Sequence, residues 1–296
     1  MRWLLFVVCV FLIQAPVVGQ ERPVHQVLKP TGSWVLDYAE NRCRLVRSFE
    51  SENGGDETLL LFEKYHPGGT PIWIVAGDAV PGWSEVTVQF GPANDAFAVP
   101  GRKVKFGDFR QAIRGSSFSE SSIGRIEDLE KLAAKAAESA KDKKPPVFGD
   151  IEWLDIQPNT KRAVRIPLAG MDQVSTAMDD CMTNLVSYWG IDPADQARVA
   201  KVPIVTNLGE ITRRVATDYP DAALRRGQQA EIMLRLIIEA NGKASECVRT
   251  DVTEAGLIDV ELCKVVMKRG EFEPAADSEG RPLRYYLIQR LRYVIP

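Results

Sequence analysis

The sequence predicts an α+β protein: a β-rich N-terminal domain with two long helices, followed by a small three-stranded antiparallel sheet packed with two helices. Three observations carry this expectation. Short apolar segments divided by Gly and Pro turns run from Ser33 to Phe109; two stretches with apolar spacings of three and four follow; and the chain from Tyr219 onward reads helix, strand, strand, helix, strand. With 296 residues, 45% of them apolar and 26% charged, the chain can fill two cores.

Taken in order, Met1-Arg2 precedes the apolar run Trp3 to Ile13, and Gln14-Ala15-Pro16 and Val17-Val18-Gly19-Gln20 follow. A positive start, a short apolar stretch and a small-residue exit read as an export signal over residues 1–20, cleaved near Gly19 or Gln20. A membrane-spanning helix needs about 20 apolar residues, more than this run supplies. The alternative keeps Trp3 to Val18 as an inner-membrane anchor with the rest facing the periplasm.

The expected domain over 28–195 begins with strands at Trp34–Tyr38, Cys43–Phe49, Glu57–Tyr65, Ile72–Ala76 and Glu85–Phe90, with a further one at Arg102–Phe106. Asn53-Gly54-Gly55, Pro67-Gly68-Gly69 and Pro81-Gly82 supply the turns between them. Ser116 to Ser122 reads as a loop. Ile126, Leu129, Leu132, Ala133 and Ala136 share one face of a helix ending near Asp142, and Arg162–Pro167 reads as a strand. Met171, Val174, Met178, Cys181, Leu185 and Trp189 mark a second helix closed by Gly190, with Asp179-Asp180 expected in solvent. Residues 196–210 read as a linker.

The last unit, 211–296, opens on Tyr219-Pro220 and a short helix from Asp221. Ala230, Ile232, Leu234, Leu236 and Ile238 alternate with other residues, giving a strand with one buried face. Asn241-Gly242 turns the chain into a second strand, Ala244 to Thr250. A helix from about 254 ends at Arg269. The final strand carries Leu283, Tyr285, Leu287, Leu291 and Tyr293 on one face and Arg284, Tyr286, Ile288, Arg290, Arg292 and Val294 on the other. The expected sheet is covered on one side by helices, and its edge strand offers backbone groups to a foreign strand.

Composition excludes several chemistries. The net charge is −3, and Glu210 to Pro296 holds 14 basic and 14 acidic side chains, so a basic stripe for nucleic acid is missing. Only His25 and His66 are present, which rules out a multi-histidine metal site, and any histidine-based nucleophile system would depend on His66. An acid pair drawn from Asp37, Glu63, Asp78 and Glu85 is the remaining enzymatic alternative, with nothing fixing a separation. We therefore expect no enzyme, no cofactor and no metal.

Removing the signal leaves Cys43, Cys181, Cys247 and Cys263, an even set that favours disulfides in an oxidising compartment. Of the three possible pairings, we expect Cys247 with Cys263 and Cys43 with Cys181. The second follows from the place of Cys181 on the buried helix stripe.

These C-terminal features together resemble the TonB C-terminal (TonB/TolA) family. The matching residues are Tyr219-Pro220, Ala223, Gly227, the alternating strand, Asn241-Gly242, Phe272-Glu273-Pro274-Ala275, Gly280-Arg281-Pro282 and the closing strand. Cys247 and Cys263 resemble a sheet-to-helix pair found in exported bacterial proteins with this domain. The resemblance implies a periplasmic binding module, with Tyr286, Ile288, Arg290 and Arg292 as candidate peptide contacts and no active site. Its implied partner is an outer-membrane receptor peptide or another envelope protein, bound by strand addition. Ala230 stands where the family usually has Gly, and a folded domain replaces the family's long Pro-rich spacer.

The expectation is thus a periplasmic protein-binding protein, connected with TonB-type transmembrane transport. The alternative is a structural or assembly protein of the cell envelope whose N-terminal domain does the binding. Membrane attachment enters only through an uncleaved N-terminal segment. N-terminal sequencing of the mature protein checks the signal: a start at Gln20 or Glu21 is expected, and retention of Met1 would establish the anchor instead.

Overall fold

The computed structural model describes residues 26–52, 54, 57–67, 69–77, 85–92, 94–99, 109, 112–115, 148–158, 163–217, 220–225, 230–252 and 261–293. The expected signal (1–20), the helix over 126–142, the strand Arg102–Phe106, the loop Ser116–Ser122 and the family positions Tyr219 and Gly227 lie outside these residues. The architecture is α+β and β-rich; among the described residues it has one 18-residue helix and otherwise short ones, where two long helices were expected.

The N-terminal strands are β1 (Gln26–Val27), β2 (Lys29–Pro30), β3 (Val35–Ala39), β4 (Arg42–Glu50), β5 (Glu57–Lys64), β6 (Ile72–Gly77), β7 (Val86–Phe90), β8 (Phe97–Val99), β9 (Ala112–Gly115), β10 (Trp153–Pro158) and β11 (Val164–Pro167). They form two sheets. One has the order β1-β11-β10-β7-β8; the other is β2-β4-β5-β6-β9, with β3 also pairing β4. Alternate residues explain how the sheets meet. Leu60 and Phe62 of β5 and Trp73 and Val75 of β6 point into the same core as Val86, Val88 and Phe90 of β7 and Leu154 and Ile156 of β10. The residues between them, Leu61, Ile74 and Ala76, are buried on the opposite face of their sheet. Across the other sheet, Asp155 and Arg165 stand directly opposite one another, and two hydrogen bonds of 2.7 and 2.8 Å join them while the guanidinium lies 4.1 Å from the Trp153 ring centre.

The long helix, α1 (Met171–Tyr188), buries Met171, Met178 and Cys181 of the expected stripe together with Met182 and Val186, while Val174 and Leu185 are half-buried. Gly190 follows with φ of 77°, a conformation that costs glycine nothing and accounts for the helix stop. Asp179 is not left to solvent: it accepts a 2.6 Å hydrogen bond from Lys64, whose ammonium is buried at the end of β5. The pairing follows from burial, since a lysine taken out of water needs a counter-charge.

Next come α2 (Pro193–Arg198), β12 (Ile204–Val205), α3 (Leu208–Thr217) and α4 (Asp221–Arg225). The stretch expected as linker therefore holds the end of α2, β12 and the start of α3. The C-terminal unit adds β13 (Ala230–Ile238), β14 (Ala244–Val252), α5 (Leu262–Arg269), β15 (Phe272–Glu273), β16 (Ala275–Ala276), β17 (Pro282–Leu283) and β18 (Tyr285–Tyr293). Its main sheet has the order β14-β13-β18, all antiparallel. Ile232, Leu234, Leu236 and Ile238 pack with Ile211 and Val215 of α3 and Leu262 and Val266 of α5. At the β13–β14 turn, Gly242 takes φ of 78°, as the Asn-Gly sequence requires.

Cys43 is joined to Cys181 across 138 residues, and Cys247 to Cys263 across 16, with Cα separations of 6.1 and 5.5 Å. The first bond fixes β4 to α1; the second fixes β14 to α5. Among the described residues, no helix is long and apolar enough to cross a membrane.

Replacing Cys43 and Cys181 together by Ala should lower stability more than replacing Cys247 and Cys263, by about 5 against about 3 kcal/mol from loop closure alone. Urea midpoints of the two double variants measure the difference, and reductant should bring all forms together.

Candidate peptide-binding edge

The C-terminal sheet does not have a free face. Between the positions buried under the helices, Met233 and Arg235 of β13 are each 5% exposed and Ile237 is fully buried. This corrects the expectation of a sheet covered on one side. The cover is the N-terminal domain: strand ends of its larger sheet, together with the last residues of α1, stand on the second face. Ile237, Leu283, Tyr285 and Tyr286 share a core with Cys43, Cys181, Val186 and Trp189, while Met233 packs with Tyr65 and Ile72.

The polar contacts order this junction. Arg235 donates through Nε to Asn41 Oδ1 at 2.9 Å and through Nη2 to Glu246 at 2.6 Å, and its guanidinium lies 4.7 Å from the Trp189 ring centre. Trp189 Nε1 donates to Glu40 O at 2.9 Å, and Arg42 Nη1 donates to Thr250 O at 2.8 Å. The β3–β4 tip thus sits over β13 and β14. One strand further along, the β5–β6 turn sits over β13 and β18: His66 Nδ1 and Tyr286 Oη are 2.8 Å apart, with their rings stacked at 5.1 Å.

Each sequence-predicted contact can now be placed. Tyr286 is 1% exposed, enclosed by His66, Trp189 and Tyr285, so its side chain is an internal contact and not a solvent-facing one. Burial, and the neighbouring Tyr285 phenol, hold its phenol protonated far above the ordinary range. Ile288 is half-buried against both the Tyr285–Tyr286 cluster and Tyr65 with Ile72. Arg290 is half-buried, and the backbone of Arg292 pairs with Glu231 while its side chain lies outside the description. The four residues do share one strand, but Tyr286 and Ile288 are turned toward the N-terminal domain.

What stays open is the strand's edge. β18 pairs with β13 from Tyr285 to Tyr293 without a register shift, and among the described residues no strand pairs its other side. The opposite edge, β14, has shifts between Met233/Leu234 and between Ile237/Ile238, where Thr250 and Ser245 fall out of register. Irregularities of that kind blunt an edge; β18 has none along its length.

Of the carboxylates weighed for catalysis, Asp37 and Glu63 flank Arg44 on neighbouring strands. Glu63 is 1% exposed and held by Arg44 at 2.8 Å and Arg42 at 3.3 Å, Asp37 and Glu85 are exposed, and Asp78 lies outside the described residues. Among the described residues no three His, Cys, Asp or Glu side chains form a metal-sized group. Sequence reasoning missed Asn41, Trp189 and Arg235 as junction residues. The available signal was Met233 and Ile237, which put apolar side chains on the face of β13 expected to be open. Comparison with protein-family models, with curated proteins and with solved structures finds no match to this chain.

Arg235→Ala should destabilise the protein by about 2 kcal/mol, because it removes two hydrogen bonds and a ring contact from a buried position. Arg249→Ala, at an exposed position of β14, should stay within about 0.5 kcal/mol of the parent in the same urea titration.

Proposed function

We propose that this is an exported, periplasmic protein whose C-terminal module, 211–296, binds an extended segment of an envelope protein or outer-membrane receptor along the outer side of β18. The observation that carries the proposal is the unshifted edge of β18, which no strand among the described residues pairs, set against the irregular edge of β14. A regular edge presents alternating N–H and C=O groups that an incoming strand pairs without rearranging the sheet. The resemblance to the TonB C-terminal family supports the same mode of binding and the link to TonB-type transport. Two disulfide pairs fit the oxidising compartment that export would provide. The module works without a cofactor in this reading, and its specificity rests on the edge instead of the buried side chains of Tyr286 and Ile288.

A second reading makes the chain a structural or assembly protein of the envelope, with binding done by the N-terminal domain. The observation in its favour is the burial of the C-terminal sheet's second face, which makes that sheet a support for the first domain.

Two proline variants separate these readings. Of two consecutive strand residues, one N–H points to the neighbouring strand and the other outward, so one of Gln289→Pro and Arg290→Pro blocks the outer edge and spares the β13 ladder. The variant that keeps a parental melting curve should lose its crosslinked envelope partners. Unchanged partners in that variant would favour the second reading.

A further inference from the structure

The edge of β18 does not stand alone. Trp189, beside Arg235 of β13, meets the Tyr286 ring edge-on at 5.2 Å; Tyr286 in turn stacks on His66. This aromatic row starts at the central strand, crosses β18 and ends at the imidazole. Tyr286 is buried, whereas His66 is exposed as a residue, with Tyr286 stacked on its ring. Beside it, Tyr65 and Ile72 flank Ile288. The order of the larger N-terminal sheet explains the placement: β4 begins over β13 and β14, and the β5–β6 turn comes one strand spacing further on, over β18.

A strand laid against β18 sends alternate side chains toward the N-terminal domain, into the space beside this turn. Resting on the strand-addition reading above, we propose that the β5–β6 turn forms one wall of the binding groove, and that the bound peptide presents an aromatic side chain to the exposed residue His66. A ring placed there extends an existing row of rings. Charge does not enter the selection; ring geometry and apolar area do. The groove is then a joint product of both units, with the C-terminal module supplying backbone pairing and the N-terminal domain supplying the choice of side chain.

The test uses the full chain and two labelled peptides as long as β18, each alternating Thr and Val, one with Phe and one with Ala at its centre. Fluorescence anisotropy should show the Phe peptide binding about threefold to tenfold more tightly than the Ala peptide. His66→Gln, which keeps a hydrogen-bonding group for Tyr286 but no ring, should erase that preference. His66→Phe, which keeps a ring, should retain it, and melting curves should show both variants folded. Equal binding of both peptides to the parent, or a preference that survives His66→Gln, would overturn the wall and leave strand addition standing. If neither peptide binds the parent, strand addition itself fails and this inference fails with it.

Discussion

The structure depends on covering β13 from both sides. One set of its residues, Ile232 to Ile238, packs beneath α3 and α5, and the intervening set, Met233, Arg235 and Ile237, needs a second cover. Leaving a side chain such as Ile237 or Tyr286 in water forfeits about 2 kcal/mol each, too much for a sheet of three strands to absorb. The strand ends of the N-terminal domain and the end of α1 meet that need. They also bring Asn41 and the Trp189 ring, which with Glu246 of β14 surround Arg235 where water would otherwise be required.

This arrangement changes what a partner can touch. A recognition face made of Tyr286, Ile288, Arg290 and Arg292 would compete with the chain's own packing. A recognition edge does not, because backbone groups on the outer side of β18 lie in the plane of the sheet while the side chains point out of it. The same burial holds the edge still. A strand clamped between two layers loses little further freedom when another strand joins it, which lowers the entropic cost of binding.

Much of the fold was legible in the sequence, for a physical reason: a period of two or of three to four survives whatever a segment packs against. That is why β3 to β7, β11, α1, β13 and β18 fall close to their expected bounds, and why both cysteine pairs were readable from positions on a stripe and a strand. The strand β10 has the same alternation, Leu154 and Ile156 buried between half-buried Trp153, Asp155 and Gln157, but ends on Pro158, a residue that argues against a strand interior. The helix α3 was hidden by Thr212, Arg213 and Arg214, which leave Leu208, Ile211 and Val215 to mark its inner face. The junction was legible only as the apolar Met233 and Ile237 on the second face of β13, without the groups that cover them. Asn41 and Arg235 are 194 positions apart, and periodicity says that a face is buried without saying what buries it. His66 was weighed as a catalytic group; only the fold shows it lying on Tyr286.

The continuous pairing of β18 with β13 has a mechanical consequence. Nine residue pairs hold the two strands together without a break. A pull directed along β18 loads all of those hydrogen bonds at once, so they resist as a group, whereas a pull at right angles would peel them off singly. A partner strand running beside β18 would transmit tension in the resistant direction. The load would then pass through Arg235 and the Tyr286 cluster into the larger domain, which would serve as the grip.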